Sequence, residues 1–462
     1  MLNPIQSVSN PPTDNMSTAT TYQGLTVPTP KYVNAIDENF PNTRRVFQVE
    51  GAISGKYSFD SLPVNGNISN GNVSDSYVEF IISSSNNELV DANSFMLESK
   101  LKITKGSGAD LDDACNVTVI DGLAHRLFQK STLYFNNTPI EGNTEFGLYN
   151  ALKTYLSMGH NEITGRGRNM YYKDYRESDI IDKLTTDHFK KGYATRNEES
   201  IREDCKKTLH FMTPLMFDFA SAQTYLLDGI DIKIRLDLAP PSLVINSPDA
   251  ERYVYALQSI KLWSTKIIPY PEALVSLNKS LTNGSTLDYI FPRPLIKSFV
   301  FPKGHSTLSV DNVFNGIVPE MMYIVFMDQE NAKGGYSKNS AYFTHANVNN
   351  IRVEVNGHTI FALTGNYPDH IARMILSALD SVQSENNHLS VDSFKKGRTL
   401  NAFDLRASDC EDVLSIEKAG NLRFSFQCST HITENTQIYI IGITSGLVSV
   451  NDRRNVITSY LA

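Results

Sequence analysis

The densest carboxylate cluster in the chain is Asp110-Leu111-Asp112-Asp113, a donor set that a calcium ion can take together with loop carbonyls. The spacing of an established calcium loop is missing, so a solvated loop tip is the simpler reading. His125, His160, His188 and His210 have no Glu partner at the i, i+4 spacing that a zinc enzyme places on one helix face. Neither a Gly-x-Ser-x-Gly elbow nor a Gly-rich phosphate cradle followed by Lys and Ser/Thr occurs. Cysteine catalysis needs a low-pKa thiolate beside a histidine, which the spacing of Cys115, Cys205, Cys410 and Cys428 alone does not show. One stretch has binding chemistry: Gly165-Arg166-Gly167-Arg168 with Tyr171 and Tyr172 can clamp nucleic acid by charge and stacking. An exposed loop in a subunit contact is the plainer reading, because the whole chain carries a net charge of −8. The expectation is a chain that is not an enzyme, with no catalytic residue, metal ligand or cofactor site.

Composition points the same way. Hydrophobic residues make up 41% and charged residues 20% of 462 residues, enough apolar surface for more than one core. The 22 Tyr and 23 Phe, beside many Val, Ile and Thr, favour strands. An acidic balance argues against a main role in condensing nucleic acid. Four widely spaced cysteines predict reduced, partly buried thiols. The polar start, residues 1–22, predicts no signal peptide, and no run reaches the ~20 apolar residues of a membrane span. A soluble protein made in a reducing compartment is expected.

The elements that must position any site are written twice. Residues 133–140, with Asn136-Asn137 between extended runs, precede the helical run 145–158. Residues 351–360, with Asn356-Gly357 in the same place, precede the helical run 369–382. Asn and Gly tolerate the positive φ of a tight hairpin turn. Phe146, Tyr149, Leu152 and Leu156 share one helical face, as do Ile371, Met374, Ile375, Ala378 and Leu379. Downstream, Lys207-Thr208-Leu209 and Arg398-Thr399-Leu400 open blocks that run to strands at 231–238 and 421–426. Two copies of one β-rich domain are the consequence.

In chain order, residues 1–44 are a polar N-terminal arm, 45–270 a first domain with a long loop insertion at 159–206, 271–288 a connector with a short helix, and 289–462 a second domain and tail. First-domain strands are expected at 46–49, 77–83, 97–103, 117–120 and 230–238, with a polar loop at 56–76 and one long strand or two short ones over 253–268. Second-domain strands are expected at 295–301, 321–327, the hairpin, 400–405, 422–428 and 437–443.

Many regularly spaced strands with one helix after the same hairpin in each half describe two tandem eight-stranded jelly rolls, an all-β double jelly roll. Leu123-Ala124-His125-Arg126-Leu127-Phe128 running into Leu133-Tyr134-Phe135-Asn136, then residues 148–159, Tyr336-Ser337-Lys338-Asn339, Gly420-Asn421-Leu422-Arg423 and Asp452-Arg453-Arg454-Asn455-Val456, resemble the hexon-like major capsid proteins of Polinton/Maverick elements and adintoviruses. The resemblance spans the chain from about Arg45 onward. It implies a homotrimer forming a pseudo-hexagonal tile of an icosahedral shell around double-stranded DNA. Its partners would be other copies of the chain and minor or penton proteins, with no small-molecule substrate and no sequence-specific nucleic-acid binding. Synthesis in the cytoplasm, assembly in the nucleus and residence in the virion capsid are implied as well. Tyr149, Leu152, Tyr155, Arg166, Arg168, Tyr171, Tyr172, Arg453 and Arg454 are the candidate subunit-interface residues. Two other roles suit such a fold: a carbohydrate-binding jelly-roll protein, and a capsid-derived minor, vertex or host-retained protein.

Overall fold

The computed structural model describes residues 21–22, 25–26, 53–64, 77–83, 87–112, 115–157, 159, 165, 167, 169–172, 180–185, 208–222, 224–248, 251–365, 391–406 and 418–459. The expected strand at 46–49, the helix at 369–382, nearly all of the arm, and Asp113, His160, His188, Cys205 and Cys410 lie outside these residues.

The first half contributes β1 (Ile53–Ser61), β2 (Tyr77–Ile82), β3 (Leu89–Lys105), β4 (Phe128–Phe135), β5 (Thr138–Asn143), β6 (Thr208–Pro214), β7 (Ile232–Leu238) and β8 (Tyr253–Pro269). They form two four-stranded antiparallel sheets, ordered β1-β8-β3-β6 and β2-β7-β4-β5. The second half contributes β9 (Leu287–Phe301), β10 (Thr307–Val310), β11 (Met321–Asp328), β12 (Val348–Val355), β13 (His358–Thr364), β14 (Asn401–Asp404), β15 (Leu422–Cys428) and β16 (Thr436–Val450). Its sheets run β9-β16-β11-β14 and β10-β15-β12-β13. Adding eight to every label of the first pair of sheets gives the second pair. This is the jelly-roll order, repeated.

The duplication is visible atom by atom at the hairpin turns. Asn136, at φ 47°, donates its N–H to Asp231 O at 3.0 Å and accepts the Asp231 N–H on Oδ1 at 2.9 Å. Asn356, at φ 52°, donates to Asn421 O at 2.9 Å and accepts the Asn421 N–H on Oδ1 at 2.8 Å. In each copy the turn asparagine pins the chain just ahead of the next central strand, β7 or β15.

Alternation explains which face each strand buries. Ile232, Ile234 and Leu236 are fully buried while Lys233 pairs with Glu79 at 3.3 Å on the wet face. Strand β15 covers the expected 422–428, and β11 and β14 match their expected places. The polar loop expected at 56–76 is corrected, because β1 occupies Ile53–Ser61. It is an edge strand that pairs only with β8 and is exposed along most of its length, so it carries no apolar alternation. Residues 117–120 supply only the two-residue strand Thr118–Val119.

The helix after the first hairpin, Phe146–Ser157, is buried on nearly all sides, not on one stripe. Between the copies, Pro271–Thr282 forms a helix that opens on proline, which needs no N–H bond there. The tail adds β17 (Val456–Ser459) to β16. A continuous core joins Phe80, Phe135 and Ile234 of the first half to Val325, Phe343 and Ile441 of the second, and Phe219 packs on Tyr289 and Phe291 at 5.5 and 5.4 Å. No helix among the described residues is long and apolar enough to cross a membrane.

Candidate functional site

Where the two sandwiches meet, the chain concentrates its buried polar groups. Asp121 Oδ2 accepts from Arg398 Nη2 at 2.8 Å and from Tyr155 O–H at 2.9 Å, with the ion-pair side chains 2% and 4% exposed. Arg398 lies 3.9 Å over the Tyr155 ring and gives its Nη1 to Ala341 O at 2.9 Å. Tyr155 meets Tyr172 edge-on at 5.5 Å, and the Tyr172 hydroxyl is 2.9 Å from His125 Nδ1. The other ring nitrogen of His125 is 3.0 Å from Thr213 Oγ1. Burial pushes the His125 pKa down to about 3, so the ring is a neutral hydrogen-bonding spacer. Burial also raises the hydroxyls of Tyr155 and Tyr172, which stay protonated. Tight packing fixes this arrangement: at Gly122, held at φ 72°, a Cβ would sit 2.8 Å from the Tyr172 ring.

The segment 336–343 of the second half docks onto the first. Tyr336 O–H donates to Tyr253 O at 2.7 Å, Ser337 O accepts from Leu184 N at 2.9 Å, and Lys338 O accepts from Asn246 Nδ2 at 2.8 Å. Ser340 Oγ donates to Leu243 O at 3.0 Å, and Ser340 O accepts from Arg126 Nη1 at 2.8 Å. At another edge of the seam, Arg454 Nη2 is 2.6 Å from Asp228 Oδ1, and Asn136 Nδ2 donates to Arg454 O at 3.1 Å. Residues that carry the family resemblance, in 123–128, 336–339 and 452–456, are among those that join the halves.

A second buried cluster sits under the first-half helix. Glu141 Oε2 accepts the Phe219 N–H at 3.1 Å, and Asp218 Oδ1 accepts from Lys153 Nζ at 2.7 Å and Tyr149 O–H at 3.1 Å. Burial, then the neighbouring Asp218 charge, raises the Glu141 pKa, and burial raises that of Asp218. The pair shares charge that the interior disfavours, and Lys153 offsets one unit of it.

Tyr149, Leu152, Tyr155, Tyr171 and Tyr172 are between 1% and 7% exposed within this single chain. Expected at a contact between subunits, they are spent inside, because the helix and the turn at residues 170–172 pack into the first-half core. Arg453 is exposed, Arg454 is half-buried on Asp228, and Arg166 and Arg168 lie outside the described residues. In the acidic loop, Asp110 pairs with Lys102 at 2.7 Å and Asp112 with Lys105 at 3.0 Å, so those carboxylates are matched by lysines. No grouping of metal-ligating side chains occurs among the described residues. Cys115 and Cys428 are buried free thiols, and His210 is exposed. The sequence reading missed Asp121, Arg126 and the role of Arg398. The available signal was an arginine opening the Thr-Leu block that the second copy shares with the first.

No protein-family model matches the chain, and no curated protein matches it by sequence. Among solved structures, a chain of the Sputnik virophage determined by cryo-EM aligns with a TM-score of 0.60 at 10% identity, covering 88% of this chain and 89% of that one. The PBCV-1 virus capsid gives 0.56 at 13% identity, covering 88% and 96%. The Faustovirus major capsid protein gives 0.56 at 9% identity, covering 85% and 90%. With one strand order present in both halves and 85–88% of its length aligned on these structures, the chain has the double jelly-roll fold of viral major capsid proteins.

Proposed function

We propose that this chain is a major capsid subunit that trimerises into pseudo-hexagonal capsomers of an icosahedral shell around double-stranded DNA, in the Polinton/Maverick and adintovirus manner. The observation that carries the reading is the doubled strand order with a polar seam, centred on the Asp121–Arg398 pair, between the copies. A tile needs two similar walls per chain held at one fixed angle, and closed symmetry of three chains then reuses one heterologous interface. A catalytic role has no comparable support, since Asp121 and Arg398, and Asp218 and Lys153, are committed to one another. Exposed apolar side chains fit contacts with other copies: Leu62 and Val64 beyond β1, Val275 on the connector helix and Ile360 on β13 are each more than half exposed. Arg453 on the tail loop and Arg166 and Arg168 in the insertion belong to the same proposed contacts. Minor and penton proteins are the further partners, with synthesis in the cytoplasm, assembly in the nucleus and residence in the virion.

Light scattering coupled to size exclusion, followed by negative-stain microscopy of the full chain, tests the proposal. A particle of three chains with a hexagonal outline is expected. A monomer at micromolar concentration without that outline overturns it.

A further inference from the structure

A pocket of about 80 Å³ lies in the seam, walled by Arg126, Phe128 and Glu145 of the first half and Met327, Asn331 and Tyr439 of the second. Arg126 is 9% exposed. Its Nη1 donates to Ser340 O, and its guanidinium stands 5.9 Å from the Phe343 ring centroid, but Nε and Nη2 have no hydrogen-bond partner in the chain. No carboxylate among the described residues is in ion-pair contact with this cation, although Asp121 and Glu145 act on it at longer range. Asp121 is engaged by Arg398 and Tyr155, and Glu145 shares the pocket without an ion pair to Arg126. Nε and Nη2 form the side-on edge of the guanidinium, a planar fork that fits two oxygens of one oxyanion.

Acceptors line the same pocket. Asn331 is fully buried, donates Nδ2 to Asp182 at 2.7 Å and has no partner for Oδ1. Glu145 adds a half-buried carboxyl. Donors and acceptors around one pocket call for a ligand that both accepts and donates, within a volume of a few waters. We propose that this pocket binds a protonated small oxyanion, with hydrogen phosphate held side-on by Arg126 and its own O–H given to Asn331 or Glu145. Sulfate, which has no proton at neutral pH, meets the same fork but leaves the acceptors unmatched and faces the Glu145 charge. A phosphodiester is disfavoured for the same reason. The ligand can come from two sources: inorganic phosphate or the terminal phosphate of a nucleotide. The proposal stands apart from the capsid reading, since it concerns a pocket within one chain.

The test is calorimetric titration of the purified full chain with sodium phosphate and sodium sulfate at matched ionic strength and neutral pH. Saturable phosphate binding is expected, at least about tenfold tighter than sulfate, as one charged hydrogen bond more or less would give. Arg126→Met removes the fork and should weaken phosphate by about tenfold or more. Glu145→Gln should collapse the preference by admitting sulfate, and it decides the matter if Arg126→Met does not fold. Equal binding of the two anions, no saturable phosphate binding, or an unchanged preference in Glu145→Gln overturns the proposal. Competition by adenosine monophosphate assigns a nucleotide source, and its absence assigns inorganic phosphate. Arg126-dependent binding of an oligonucleotide without terminal phosphate overturns the requirement for a proton.

Discussion

Asp121→Asn isolates the ion pair at the centre of the seam. The substitution keeps shape, and an amide oxygen still accepts the Tyr155 O–H, now at 2.9 Å from Asp121. Arg398, 4% exposed, keeps its bond to Ala341 O but loses the carboxylate paired with it at 2.8 Å. Removing one partner of a buried pair costs about 3–5 kcal/mol, most of it from the charge left behind. The retained hydrogen bonds place Asp121→Asn near the lower end, at about 3 kcal/mol. Arg398→Met strands the carboxylate and should cost about the same, so independent effects would sum to about 6 kcal/mol. The double variant holds no stranded charge and should lose only about 2 kcal/mol, a coupling of several kcal/mol. The readout is denaturant unfolding followed by circular dichroism and by the fluorescence of Trp263, the single tryptophan, which sits on β8 and donates to Glu98. In the native chain the two probes should coincide, because the seam couples the halves. In Asp121→Asn they should separate. A loss below about 0.5 kcal/mol, or additive single variants, refutes the claim that this pair couples the two jelly rolls.

Other outcomes follow from the same geometry. His125 is neutral in the fold with a pKa near 3 against an ordinary 6.5, so the unfolded chain takes up the extra proton and stability falls as pH drops through that window. His125→Gln should flatten that acid slope in urea titrations at pH 4, 5 and 7. Glu141 has its pKa raised from 4.5 to about 8, so the fold binds a proton that the unfolded chain has released and loses stability as pH rises across that range. Glu141→Gln should therefore gain on the parent chain from pH 6 to pH 9 in thermal scans, and a parallel decline of the two would count against a buried acid pair. Asn136→Ala and Asn356→Ala remove the same turn-to-strand bond in each copy and force alanine to positive φ. Each should cost about 1–2 kcal/mol in thermal unfolding, and a large inequality would break the equivalence of the turns. Arg454→Ala, which cuts the 2.6 Å pair to Asp228, should expose β17 to limited proteolysis near residue 456.

Legibility in the sequence tracked the range of each interaction. The alternation in β7, the Asn-Gly turn before β13 and the bounds of β15 are set by residues within a few positions of one another, and all could be read directly. Strand β1 could not, because an exposed edge strand leaves polar residues on both faces. The Asp121–Arg398 pair spans 277 positions, and nothing local marks either residue as buried. The helix Phe146–Ser157 shows a subtler difference. Its Tyr149, Leu152 and Tyr155 are residues that the family resemblance places at a subunit contact. The interface they serve is internal: Tyr155 packs under Arg398 of the second half, and Tyr149 closes on Asp218.

Duplication of topology did not keep the edges alike, and this bears on how a tile could close. Strands β5 and β13 occupy the same outer place in their sheets. In β5, Ile140 and Glu141 are 2% and 5% exposed, and Glu141 is tied to the Phe219 backbone. In β13, His358, Thr359 and Ile360 are all exposed, with Ile360 at 54%. Both strands end their sheets among the described residues, but one buries Ile140 and Glu141 within the chain while the other presents an exposed apolar side chain. Two identical edges would let any copy meet any other and permit open arrays. Two unlike edges on one rigid body give each chain a donor side and an acceptor side, and a ring of three closes when every unlike pair is matched. The proposed trimer therefore depends on the seam as much as on the outer surface, because only a fixed angle between the jelly rolls presents those sides in register.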